Sequence, residues 1–121
     1  MGLIDSWVRR AKVRREDSIV FAGELTGPTE DTFKRELMLE FATRPDVRRG
    51  YLAQLDAPAD AAQSVGLCLV STRPEDPGLL QRVSEIFSRR FAKDVSLEVV
   101  FLTSAQETEL AKVCRPFYTA R

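Results

Sequence analysis

Hydrophobic positions along this chain change their period from segment to segment, and the order of those periods sets the fold class. Leu3, Ile4, Trp7, Val8 and Ala11 share one face at helical spacing. Ile19 to Leu25 fits a strand closed by Gly27-Pro28. Phe33, Leu37, Met38 and Phe41 then recur on one face of a helix that opens near Thr29. It stops ahead of Pro45, because the residue before a proline avoids the helical region. Tyr51, Ala53 and Leu55 alternate with Leu52 and Gln54, which predicts a second strand. A polar, alanine-rich loop over 56–63 leads to Val65–Val70, a nearly continuous apolar run that fits a central strand covered on both faces or partly so.

The next helix carries the clearest punctuation. Asp76 is placed to cap it and Pro77 to fill its first turn, where a missing N–H costs nothing. Leu79, Leu80, Val83, Ile86, Phe87 and Phe91 form its stripe. Val95, Leu97, Val99 and Phe101 alternate with Ser96 and Glu98 in a fourth strand. Ser104 and Glu107, three apart, predict a capping box that starts a last short helix, with Leu110 and Val113 facing inward.

Strand, helix, strand, strand, helix, strand is the split β-α-β order of an α+β two-layer sandwich. The expected β-α-β-β-α-β core has a four-stranded, mainly antiparallel sheet, plus an extra basic helix at the N-terminus and a short one at the C-terminus. A mixed sheet with one parallel pair fits the same order. Residues 1–16 are assigned to the basic helix and 17–121 to a single α+β domain. A chain of 121 residues is long enough to bury its own core without staples.

Composition narrows the function by exclusion. Formal net charge is zero, so no whole-chain field draws nucleic acid or an acidic substrate. No apolar run reaches membrane-spanning length and no secretory signal precedes the first strand. Two cysteines imply no disulfide framework. These features predict a cytoplasmic protein. The chain has no histidine, which removes Ser-His and Cys-His catalysis and imidazole metal ligands. Its six glycines form no phosphate-binding loop. No catalytic set, cofactor or metal is expected.

A few features remain that could carry chemistry. Cys114 stands between cations, Lys112 one residue removed and Arg115 next to it, a setting that can lower a thiol pKa. Its ordinary role is an inert, packed cysteine, and Cys68, inside the apolar run, is structural. Glu30, Asp31, Glu36 and Glu40 offer paired carboxylates but fall on the polar face of a helix, where solvation is the simpler role. Met1-Gly2 with Ser6 fits the short myristoylation pattern, which is common by chance. Aromatic and arginine residues dominate interface energetics. The candidate partner-binding residues are therefore Trp7, Arg9, Arg10 and Arg14 of the basic helix, with Arg115, Phe117 and Tyr118 near the C-terminus.

The element order also fits RNA-recognition modules, which stack bases on aromatics of a central strand. The matching strand, Val65-Gly66-Leu67-Cys68-Leu69-Val70, has neither aromatic nor basic residue, so nucleic acid is not the expected partner.

Arg49-Gly50-Tyr51-Leu52-Ala53-Gln54-Leu55 resembles the opening of the C-terminal domain of the bacterial enhanced-serine-sensitivity protein family. Val65-Gly66-Leu67, an amphipathic helix, the strand from Val95 to Leu102 and the closing Arg115-Pro116-Phe117-Tyr118 follow in the same order. The resemblance covers about 47–118. It implies a bacterial, cytoplasmic α+β module with no known catalytic set. The family usually carries another domain ahead of this one, and the residues before about 47 are too few for it. The expected function is a non-catalytic binding, adaptor or regulatory module with a protein partner, able to form a homodimer. The alternatives are a small-molecule sensor at a dimer interface and a minor enzyme using carboxylates or Cys114.

Overall fold

The computed structural model describes residues 11–13, 19–55, 64–73 and 76–120. The elements run β1 (Ala11–Val13), β2 (Phe21–Glu24), α1 (Pro28–Phe41), β3 (Val47–Leu55), β4 (Ser64–Ser71), α2 (Pro77–Arg90), β5 (Ser96–Phe101), α3 (Ser104–Leu110) and β6 (Tyr118–Thr119). The α+β class and the β-α-β-β-α-β core order of β2, α1, β3, β4, α2 and β5 are as the periodicity predicts.

The strands lie in the order β1-β5-β4-β3-β2, with β6 also on β3. A split arrangement would set another strand between two joined by a helix. Here β2 and β3, joined through α1, are antiparallel neighbours, and β4 and β5, joined through α2, are parallel neighbours. β3 and β4 are antiparallel, so the four core strands form a mixed sheet with one parallel pair. Ala11–Val13 correct the expectation of one helix over 1–16: they are extended and pair parallel with Leu97–Val99. The outer edge of β5 offers backbone donors and acceptors that a strand satisfies and a helix does not. Trp7, Arg9, Arg10 and Arg14 lie outside the described residues, as does the 56–63 loop.

Alternation divides the sheet residues between two cores. Leu52, Val65, Leu67, Leu69, Leu97 and Val99 pack with Phe33, Leu37 and Phe41 of α1 and Leu79, Val83, Ile86 and Phe87 of α2. Phe33 meets Phe87 and Phe91 edge-on at 5.6 and 5.4 Å, and Phe87 stacks on Phe91 at 4.5 Å. The opposite set, Tyr51, Ala53, Leu55, Cys68 and Val100, packs with Leu110 of α3 and with Cys114. β4 is therefore buried on both faces, which explains its nearly continuous apolar run. Gly66 allows the close approach there: a Cβ would stand 2.6 Å from Leu55 Cγ and 2.8 Å from the Ala53 carbonyl oxygen.

Local chemistry sets the helix ends. Asp76 caps α2 by accepting from the N–H groups of Gly78 and Leu79, with Pro77 in the first turn, as expected. α1 begins one residue before the expected Thr29, at Pro28, after Gly27 at φ +138°, a conformation that favours glycine. Ion pairs tie the two long helices together: Glu36 with Arg90, and Glu40 with Arg82 at 3.1 Å.

The last helix corrects the sequence reading by one residue. The capping box is Thr103 with Gln106, each side chain accepting from the other's backbone N–H. Glu107 is turned away from the cap because Arg49 and Tyr51 of β3 claim its carboxylate. α3 ends at Leu110, so Val113 falls in a turn and is 45% exposed, while Cys114 takes the inward place.

Candidate functional site

The outer edge of β3 is shared by two strands. Leu25 N–H donates to the Leu52 carbonyl where β2 pairs, and farther back Phe117 and Ala120 donate to the carbonyls of Gly50 and Arg48. The C-terminal segment thus completes an edge that β2 leaves open. Gly50 makes this fit, since a Cβ would stand 3.2 Å from both Phe41 and Phe117. Phe117 and Tyr118 lie 6.1 and 5.4 Å from the Phe41 ring, and the Tyr118 hydroxyl donates to the Phe41 carbonyl at the end of α1. That carbonyl also accepts from the Arg44 N–H at 2.9 Å, so the hydroxyl is its second donor and ties the segment to the helix end.

Between the last turn of α1 and this segment runs an open groove of about 700 Å³. Met38, Leu39, Phe41, Ala42 and Pro45 line it on one side of the chain, and Phe117, Tyr118, Thr119 and Ala120 on the other, with Arg44 and Arg48. Leu39 is 75% exposed and Met38 42%. Met38 corrects the sequence reading. The buried stripe is Phe33, Leu37 and Phe41, spaced by four, and Met38 lies to its solvent side. Arg44 is held by Glu40 at 2.9 Å and Asp76 at 3.7 Å. Arg48 is exposed, and no ion pair engages it among the described residues.

The lining holds two guanidiniums, no carboxylate and no thiol. Its one hydroxyl-bearing aromatic, Tyr118, is already spent on Phe41. This arrangement supplies apolar contact and positive charge, with no carboxylate, imidazole or thiol for acid, base or nucleophilic chemistry. Among the described residues, no cluster of three His, Cys, Asp or Glu is placed to hold a metal ion, and no helix is long and apolar enough to cross a membrane.

Of the other candidate groups, Glu30 and Asp31 lie in the first turn of α1, and the rest are engaged. Burial raises the Cys114 thiol to about 11, with Glu24 adding to the effect. Its Sγ faces the Leu52 carbonyl at 3.6 Å. Lys112 is turned to Glu109 at 3.0 Å, and the raised thiol fits the inert, packed role over activation by flanking cations. Burial pushes the Cys68 thiol up as well. Glu36 is held low by its hydrogen bond from Arg90. At Glu40 burial raises the pKa, but the hydrogen bonds from Arg44 and Arg82 outweigh it and the net shift is downward. Both carboxylates act as ion-pair partners. Arg49 grips Glu107 through two nitrogens, at 2.5 and 2.8 Å, and Tyr51 donates to the same carboxylate at 2.6 Å. Burial and that bond push the Tyr51 phenol up to about 12. This trio fastens α3 to β3.

The structure places the sequence-predicted candidates unevenly. Phe117 and Tyr118 line the groove. Arg115 does not; its backbone N–H donates to Glu24 and its side chain is exposed. Met38, Leu39, Arg44 and Arg48 were not among the candidates. Leu39 carried a signal, an apolar residue off the buried stripe of its helix, whereas Arg48 gains its meaning only from the pairing with β6.

No curated protein and no solved structure matches the chain. The SseB protein C-terminal domain matches over residues 24–120. This bears out the resemblance carried by Arg49–Leu55 and extends it backward to include α1. The chain belongs to the SseB protein C-terminal domain family.

Proposed function

We propose that this domain is a non-catalytic docking module that holds a protein partner in the groove between α1 and β6. The observation that carries the proposal is Leu39 beside Met38, two large apolar side chains exposed at the rim of a groove that Phe117 extends. Exposed apolar residues are ordinary singly, but grouped in a concavity with aromatic and arginine neighbours they have the composition of an interface centre. Thiols raised by burial and carboxylates paired with arginine weigh against the enzyme alternative. A cytoplasmic setting and recruitment through the basic N-terminal residues Trp7, Arg9, Arg10 and Arg14 belong to the same proposal, with the groove as the primary contact.

The test is capture from nuclease-treated bacterial lysate with the full chain and with Leu39→Glu. An exposed helix position should tolerate the change within about 0.5 kcal/mol of folding stability. A bound protein should be lost from the variant while its melting temperature holds. Identical capture by both chains would place the contact elsewhere.

A further inference from the structure

The groove is chemically one-sided, and its two cations are not equivalent. Arg44 is balanced by Glu40 and Asp76, both within its own fold. Arg48 is exposed and has no such partner among the described residues. Its main chain is held on the β6 side, where its carbonyl accepts from Ala120 at 2.8 Å, and on the β4 side it falls at the register shift between Val47 and Arg49. Its planar guanidinium presents a rigid fork of donors that matches a carboxylate. Nearby, Met38 and Leu39 offer an apolar surface, and methionine adapts its shape to what it meets.

Resting on the docking reading above, we propose that the groove's occupant is a peptide segment of a partner that sets an apolar anchor beside an aspartate or glutamate. The anchor packs on Met38, Leu39 and Phe117, and Arg48 reads the carboxylate. Charge complementarity supplies the argument for this occupant. A basic segment would meet the unbalanced Arg48 with no carboxylate in the lining. A purely apolar segment would desolvate Arg48 without compensation.

The experiment is selection of random twelve-residue peptides, displayed on phage, against the full chain. The enriched peptides are then titrated against wild type, Leu39→Glu, Arg48→Glu and Arg48→Lys, each checked for an unchanged melting temperature. The expected result is a consensus with a large apolar residue near an acidic one. Binding should weaken about tenfold or more in Arg48→Glu and less in Arg48→Lys, which keeps the charge but loses the fork. Peptides that need Leu39 but are neutral or basic, and that ignore Arg48→Glu, overturn the carboxylate assignment and leave the docking reading standing. Peptides indifferent to Leu39→Glu, or no enrichment at all, overturn the docking reading with it. No enrichment together with a dimer of this chain abolished by Leu39→Glu gives the groove to a second copy and overturns the proposal.

Discussion

Glu107→Gln is the most informative single change to the frame that carries the groove. In the wild type the carboxylate accepts from two Arg49 nitrogens and from the Tyr51 hydroxyl, joining α3 to β3 at the residues next to Gly50. The amide keeps the shape but offers one acceptor oxygen and no charge. Hydrogen bonds to charged groups contribute about 1.5–3 kcal/mol each. The Arg49 side chain is 39% exposed, so its share is screened toward the value of a surface pair. The expected net loss is about 1–2 kcal/mol at neutral pH. Urea denaturation followed by circular dichroism reads it as a lower midpoint with an unchanged slope.

The loss should also depend on pH, with a definite sign. The hydrogen bond from Arg49 holds Glu107 below its ordinary value of 4.5. A depressed carboxylate contributes stability that is present above the unfolded pKa and lost as pH falls through the folded one. The gap between wild type and Glu107→Gln should therefore be full at neutral pH and close in strong acid. Glu36 and Glu40, which are also depressed, titrate in both proteins and cancel in the comparison. No gap at neutral pH, or one that persists undiminished at about pH 2, would refute the reasoning.

Other consequences are simpler to read. Gly66→Ala places a methyl group 2.6 Å from Leu55 Cγ and 2.8 Å from a backbone oxygen, so thermal or urea unfolding should show a loss of about 1–3 kcal/mol. A neutral effect would mean that β3 and β4 do not meet as described. Cys114, raised to about 11, should react with iodoacetamide in mildly alkaline buffer far more slowly in the native chain than in urea. Equal rates would contradict its burial.

What the sequence disclosed follows from which features are local. The Asp76-Pro77 start of α2 and the nearly continuous run of β4 involve neighbours in the chain, and both are found as expected. The features that build the groove depend on distant partners. Arg48 and Arg49 lack the alternation of a strand, yet β3 begins at Val47 because β4 and β6 pair with that stretch. Tyr118–Thr119 is too short to predict and forms only because the β3 edge beyond β2 is open. Glu107 had the spacing of a capping residue, and a contact 58 positions away in sequence, from Arg49, decided its role instead. Ala11–Val13 sat within a helical pattern and are extended because β5 has an edge to fill.

The groove's role is tested most directly by amide hydrogen exchange of the full chain, alone and with a captured partner. The account predicts slowed exchange centred on the end of α1, the start of β3 and the segment Phe117–Ala120. Protection centred on β2 or α3, with that groove unchanged, would contradict it.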